Sequence, residues 1–410
     1  VLKLSPKIVK LPLALFIYQK RGVIVSYEKV FLLKCKECQE AFFTEGESHF
    51  YKKKGLHTPK RCKACREKRK FQHEQRRQKQ ELNRVLANLQ FEQVEEVEMQ
   101  SADSNTTLYI IGNGFDLMHG VPSSYYHFRD SMGRHSELRR TLEMYILKED
   151  LWADFEESLA YIDDESMLVT LNDWMDTFDV KEQYDDDFSA ADFFMASEAA
   201  MAPTYTIMEE LPKQFRKWIV TLKPTISNTP LKQIINTAAR FINFNYTEFL
   251  ETIYGVSKQN IFYIHGERRD TNKELILGHS DMASDESGSD SSESKSDQLR
   301  MKNQTTYDLY ATAGYQLGNY YSSTAKKSND VIEANKATFI AFADIDTVVV
   351  IGHSLSVVDY PYFKEIIKMN RKPSNMKWFI SWYSAGDIKR IDAFAKNLGI
   401  QPKQIKLFKT

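Results

Sequence analysis

From about position 107 onward, short and nearly continuous apolar runs recur, most of them ending in glycine, asparagine or histidine. The runs at 108–111, 240–246, 261–265, 275–278, 347–351, 377–383 and 405–408 read as strands. Strands apolar on both faces belong in a parallel sheet covered by helices. Between them the pattern is helical over 123–240, a stretch carrying Trp152, Phe155, Trp174, Phe193, Phe194 and Trp218. Further helices are expected over 305–341, from about Tyr360, and over 385–398. Alternating strands and helices predict an α/β fold with a doubly wound, mostly parallel sheet. The 123–240 stretch is too long for a simple crossover, so a helical insertion covering the sheet edge is expected. Residues 281–303, rich in Ser, Asp and Glu, read as a disordered surface loop.

The N-terminal part follows another pattern. From Arg66 to about Glu98 a polar helix without glycine or proline is expected, with 99–106 as a linker to the core at 107–410. Arg66, Lys68, Arg69, Lys70, Arg76, Arg77, Lys79 and Arg84 dominate its start, and glutamates its end. Such a helix is either a solvated connector or a basic rod that touches phosphates or a partner protein. The apolar run at 11–18 falls short of the roughly 20 residues of a membrane span, and no small-residue cleavage site follows. A cytoplasmic protein without a membrane partner is expected, with 1–28 as a leader of uncertain structure. The net charge of −1 provides no global field for nucleic acid, so any such contact would be local to the basic residues 51–84.

All four cysteines, Cys35, Cys38, Cys62 and Cys65, form two Cys-x2-Cys knuckles separated by twenty-three residues. Two knuckles close a tetrahedral zinc site, and four thiolates leave no open position, so the metal is structural. Zinc would supply folding energy of order ~10 kcal/mol to a segment too short for a core of its own. Residues 29–66 are therefore expected to form a zinc module, and the sequence around its knuckles resembles a family of small zinc-ribbon domains.

Four strand ends carry glycine or polar side chains: Gly112-Asn113-Gly114-Phe115-Asp116, Asn243-Phe244-Asn245-Tyr246-Thr247, His265-Gly266 and Gly352-His353-Ser354-Leu355. In a doubly wound sheet such ends meet at the carboxyl edge, where ligands bind. His279, after Gly278, is a further candidate there. The paired glycines would bring backbone N–H groups and a helix start to a phosphate. The third glycine, Gly120, lies too far along for the Gly-x-Gly-x-x-Gly dehydrogenase fingerprint, which disfavours hydride transfer.

These motifs, in this order and over roughly residues 107–408, resemble the bacteriophage abortive infection protein AbiH family. More distantly they resemble the sirtuin-like NAD-binding fold, with Gly112, Gly114, Gly120 and Pro122 in its first motif, Asn245 at its asparagine, His265 at its histidine and Gly352, Ser354 and Leu355 in its last. Asp116 stands where that family has serine, and Thr247 where it has aspartate. No cysteine follows residue 65, so the zinc module that sirtuin deacylases carry after the catalytic histidine is missing. The resemblance implies an anti-phage effector that hydrolyses NAD, with His265 as general base and Asn245 positioning water or a ribose hydroxyl. Gly112, Asn113, Gly114, Phe115, Asp116, Thr247, Gly352, His353 and Ser354 would hold the dinucleotide. A phage-derived trigger is an expectation of the same kind, while the helical insertion at 123–240 could form either a lid or a homo-oligomer contact. Two other readings stay open. One is a non-catalytic nucleotide-binding sensor whose ribbon and basic helix bind phage nucleic acid or protein; the other is a metal-dependent nuclease or hydrolase built on His265, His279 and His353.

Overall fold

The computed structural model describes residues 17–20, 23–26, 31–88, 90–95, 97, 99, 102–182, 190–225, 229–280 and 304–410. The expected acidic loop at 281–303, most of the leader, and the side chains of Phe193 and Phe194 lie outside the described residues. The chain divides into two compact units between Asn88 and Leu89.

In the first unit, β1 (Ile17–Lys20) pairs antiparallel with β2 (Val23–Ser26), and β3 (Phe31–Lys34) with β4 (Ala41–Thr44). A helix at Glu45–Lys53 and a long helix at Lys63–Ala87 follow, the second with no buried residue. The long helix stops at Ala87, capped by Asn88, instead of running to about Glu98. The reason lies in the next residues: Phe91, Val97 and Met99 are buried, and a continued polar helix would leave them in water. Residues 99–106 are likewise more than a linker, since the Met99 N–H donates to the Gln233 carbonyl and Asn236 Nδ2 to that of Ala102.

The second unit is built on seven parallel strands: β5 (Glu92–Gln93), β6 (Thr107–Ile111), β7 (Arg240–Asn243), β8 (Ile261–Tyr263), β9 (Thr347–Ile351), β10 (Lys377–Trp382) and β11 (Ile405–Lys409). Their order is β5-β11-β10-β9-β6-β7-β8. Numbered from β6, the last six run 6-5-4-1-2-3, the order of doubly wound dinucleotide-binding sheets. The chain leaves β6 toward β7 and β8, then returns to β9 on the other side of β6. That reversal opens a crevice at the carboxyl ends of β6 and β9. Every residue of β6 is buried, as are Val348, Val349, Val350 and Ile351 of β9, which explains their unbroken apolar pattern.

The 275–278 run is not a strand. The Gly278 backbone lies against the end of the helix Gln304–Thr324, where a Cβ would meet the Thr324 carbonyl at 2.0 Å. His279 N–H then donates to that carbonyl, and Lys326 N–H to the His279 carbonyl. The insertion is helical as expected, with helices Tyr125–Met132, Glu137–Tyr145, Phe155–Ser158, Asp164–Glu182 and Ala190–Ile219. Of its aromatic side chains, Tyr125, Trp152, Phe155, Phe215 and Trp218 wall the crevice at the carboxyl edge. Among the described residues no helix is long and apolar enough to cross a membrane.

Candidate functional site

In the first unit the Sγ atoms of Cys35, Cys38, Cys62 and Cys65 lie within 4.8 Å of one another. Cys35 and Cys38 follow β3 in the tight turn into β4, and Cys62 caps the helix in whose first turn Cys65 sits. A hairpin knuckle facing a helix-start knuckle is the treble-clef arrangement, where the helix dipole favours thiolate. The Cys65 thiol is pushed up to about 12, chiefly by Cys62 and then by desolvation. Cys35 goes the other way: against desolvation, backbone N–H groups around the knuckles lower its thiol to about 6. One ready thiolate beside thiols that cannot follow it is what a divalent cation relieves, so this donor set fits a structural zinc.

In the second unit a cavity of about 670 Å³ opens at the carboxyl ends of β6, β7 and β9. Tyr125, Trp152, Phe215 and Trp218 of the insertion wall one side; Asn113, Asn245, His265, Ser354 and Asp359 supply polar groups. Gly112, Gly114 and Gly352 fix its floor by backbone packing. A Cβ on Gly112 would lie 2.5 Å from His353 Cα, and one on Gly114 2.7 Å from Gly352 Cα. Gly352 has φ +62° and no room for a side chain, since a Cβ would meet the Phe115 nitrogen at 2.3 Å. The Gly112 and Gly114 amides donate to the carbonyls of Ile351 and Gly352. Both glycine amides are thus committed to the neighbouring loop instead of converging on a phosphate, and Phe115 packs on His119 and Tyr254 outside the cavity lining.

Beneath this floor Asp116 is buried and accepts from Asn245 Nδ2 (3.0 Å) and Thr247 Oγ1 (2.7 Å). Asn245 also donates to the Gly112 carbonyl, so one amide clasps the β6 loop to the β7 loop. Desolvation raises the Asp116 carboxyl to about 7 against these hydrogen bonds. Asp116 is a bonded mid-helix residue, not an N-cap, and Asn245 does not cap the helix Phe249–Tyr254.

The deepest part of the cavity holds a charged cluster. Lys326 is 1% exposed, with its Nζ 2.8 Å from Asp359 Oδ1 and 2.5 Å from Glu156 Oε2. Burial pulls the ammonium down, but the two carboxylates outweigh it and leave it above its ordinary value. Glu156 Oε1 accepts from the Tyr125 hydroxyl. Asp359 faces two imidazoles: His265 Nε2 at 3.6 Å from Oδ1 and His353 Nε2 at 3.5 Å from Oδ2. The Phe244 ring packs edge-to-face against both, with centroids 5.0 and 4.4 Å away. Burial, then the Lys326 charge, holds His265 well below the ordinary histidine value and His353 at about 3. Both rings are therefore neutral at pH 7. His265 Nε2 has no hydrogen-bond partner and is closed off from water.

Over residues 108–382 the chain matches the family described as bacteriophage abortive infection AbiH. The chain belongs to this AbiH family. Residues 32–74 match a second family, described as a probable treble clef domain. No curated protein matches the chain, and no solved structure does. In this AbiH chain the structure brings Gly112, Asn113, Gly114, Asp116, Asn245, Thr247, His265, Gly352, His353 and Ser354 together around one cavity. His279 sits elsewhere, buried beside Tyr321 with Nδ1 against the Ser280 carbonyl. The residues that sequence reasoning missed are Glu156, Lys326 and Asp359. Asp359 stood in the run after Gly352 and could have been singled out there. Glu156 lies in a helix, and Lys326 between two helices in a stretch whose pattern reads as helical, where charged residues ordinarily face water.

Proposed function

We propose that this AbiH protein is an abortive-infection effector that binds NAD at the β6–β9 crevice and hydrolyses its nicotinamide–ribose bond. The observation that carries this reading is the convergence of Asn245, His265 and Asp359 at the point where the strand order reverses. The aromatic wall suits a flat heterocycle, and the polar end suits ribose and phosphate oxygens. Asn113 and Ser354 are open to the cavity and would meet the diphosphate, since the Gly112 and Gly114 amides are spent on the β9 loop and that of Gly352 on Ser381 Oγ. In the reaction a water oxygen bonds to the ribose C1′, the C1′–N bond breaks, and the cationic nicotinamide nitrogen takes the electron pair and leaves neutral. The water proton goes to the neutral His265, and such a base contributes about 10²–10⁴-fold. His265 Nε2 is shielded here beside Asp359, so the side chains over it must shift on binding for a water or ribose hydroxyl to reach it. Asp359 and Glu156, with one ammonium between them, leave a net negative charge that would favour the positive charge growing on the sugar.

The two departures from the sirtuin pattern, Asp116 and Thr247, are bonded to each other at 2.7 Å and tie the β6 loop to the β7 loop beneath the cavity. The test is nicotinamide release from NAD by the full chain, with phage lysate as the source of trigger, for wild type and His265→Ala. Release by wild type and its loss of about 10²-fold or more in the variant, with NAD binding retained, is the expected result. Equal release by both would overturn the role of His265.

One observation favours a second activity for the first unit. Lys68, Arg69, His73 and Arg76 line a cleft of about 680 Å³ beside Cys38 and Cys65. This basic face suits a phosphate backbone, of nucleic acid or otherwise, with affinity falling steeply with salt. Filter binding of the full chain to DNA and RNA at two salt concentrations tests it, and salt-independent affinity would count against it. The histidine-metal reading gains no support, because among the described residues only the four cysteines approach as a ligand set. Lys326 already engages both carboxylates of this cluster, Glu156 and Asp359.

A further inference from the structure

The cavity is short of free positive charge. Among the described residues that line it, acidic groups outnumber basic ones, of which there are two, Lys326 and Arg390. Lys326 is buried at the floor and bonded to Glu156 and Asp359. Arg390 belongs to the mouth, where β10 gives way to the helix Ala385–Leu398, and its side chain is 45% exposed. The neighbouring carboxylate does not use it up. Asp387 Oδ2 accepts from the Tyr383 and Ser384 N–H groups (3.0 and 2.8 Å) and from Ser384 Oγ (3.0 Å), which closes the cap of that helix. Asp387 Oδ1 takes a single N–H from Arg390 Nη2 at 2.7 Å. A guanidinium has five such donors in a planar fork. Among the described residues lining the cavity, the edge of Arg390 turned away from Asp387 is thus the cationic donor still free.

We infer that Arg390 is the anion subsite of this cavity and seats a phosphate group of the bound nucleotide on that free edge. The inference rests on reading the crevice as a nucleotide site, and it requires no cleavage. A diphosphate brings negative charge that Asn113 and Ser354 can hydrogen-bond but cannot balance. A guanidinium meets two phosphate oxygens at once, so it orients the group as well as binding it. Lys409 adds positive charge at the end of β10, its Nζ lying 5.5 Å from the ring centroid of Trp382, which also lines the cavity. The floor has the opposite polarity, because Glu156 and Asp359 share one ammonium there. NAD has the matching distribution of charge, with a pyridinium at one end and phosphates beyond its ribose. The two poles therefore favour one direction for the ligand. Its phosphates lie toward Arg390 at the mouth, and its cationic ring lies toward the carboxylates of the floor.

Titration calorimetry of the full chain with NAD, NADP, inorganic pyrophosphate and nicotinamide riboside tests this, for wild type, Arg390→Gln and Arg390→Lys. Arg390→Gln should fold as wild type does, because Asp387 keeps the three partners that close the helix cap. Pyrophosphate and at least one dinucleotide should bind this variant about 10-fold or more weakly, and nicotinamide riboside, which has no phosphate, as tightly as before. Arg390→Lys, with the charge but not the fork, should fall between. A loss shared by NAD and NADP identifies the diphosphate as the group on Arg390; a loss confined to NADP identifies the extra phosphate of its adenine ribose. Unchanged affinity for all phosphate-bearing probes would overturn the inference, and so would an equal loss for the riboside. The same titrations separate it from the reading it rests on. Pyrophosphate held through Arg390 by a chain that binds neither dinucleotide sinks the NAD reading alone. NAD and NADP bound as tightly by Arg390→Gln as by wild type sink the anion subsite alone, and a wild type that binds none of the four sinks both.

Discussion

The chain gathers charge at two centres by opposite means. In the treble-clef unit four thiols are crowded within 4.8 Å, and the cation that makes the arrangement stable must come from solution. In the cavity of the sheet unit the cation is a residue, Lys326, held between Glu156 and Asp359. The first centre uses residues from two short knuckles of one sequence segment, while the second draws on positions 156, 265, 326, 353 and 359. A site stabilised by an outside ion can be compact in sequence, because the ion replaces a core. A site stabilised by a buried lysine needs the whole fold around it, since burying an ammonium is costly unless its partners are already in place.

The largest expected effect separates the two centres outright. A strong chelator, or Cys62→Ser, should melt the structure of residues 31–88 through loss of about 10 kcal/mol of metal-linked folding energy. Hydrogen exchange should meanwhile show the seven-stranded sheet still protected. Loss of protection in both units together would mean that the sheet unit also depends on the metal.

Next in size is Gly352→Ala. The left-handed φ of +62° alone costs about 1–3 kcal/mol, and the overlap with the Phe115 nitrogen adds to it. Gly399→Ala is the matched control, with φ +68° and nothing within 4 Å of its would-be Cβ, so it should cost only about 1 kcal/mol. Denaturant melts of the two variants should differ accordingly. Equal losses would show that the two glycine loops are not packed as described.

The smallest effect is a slope. His265 and His353 are depressed in the folded chain, so only the unfolded chain takes up their protons below about pH 6.5, and stability falls as pH drops from there. Asp116 acts with the opposite sign. Its carboxyl is raised to about 7, so the folded chain holds a proton that the unfolded chain loses above about pH 4, and stability falls as pH rises toward 7. Asp116→Asn removes that opposing contribution. Stability should then rise more steeply from pH 4 to 7, by up to about 1 kcal/mol per pH unit, in melts over that range. An unchanged slope would show that Asp116 is already ionised when folded.

The legibility of the chain followed the same division. Cys35, Cys38, Cys62 and Cys65 announce their chemistry by spacing alone, because adjacent thiols have few other uses. The strand ends bearing Gly112, Asn245, His265 and Gly352 were readable because buried parallel strands leave unbroken apolar runs whose last residues stand out. The 275–278 run misled for the same reason: it is apolar and ends in glycine, but its glycine serves the Thr324 contact. The end of the basic helix was missed because propensity continues past Ala87, and only tertiary burial of Phe91, Val97 and Met99 stops it. Lys326 and Glu156 left no mark, since a charge inside a helical pattern is ordinarily solvated and pairing across such a separation has no local signature. Gly112 and Gly114 were legible as a tight turn, but their amides' engagement with Ile351 and Gly352 depends on a partner loop that only the sheet order brings alongside.

The central claim is that neutral His265, at the reversal of strand order, serves as the base for cleavage of NAD. Nicotinamide release by the full chain with phage lysate tests it most directly, on wild type beside His265→Ala. The account predicts free nicotinamide from wild type and a loss of about 10²-fold or more in the variant, which still binds NAD. Release that survives the loss of the imidazole, or wild type that binds NAD and leaves it intact with the trigger present, would contradict it.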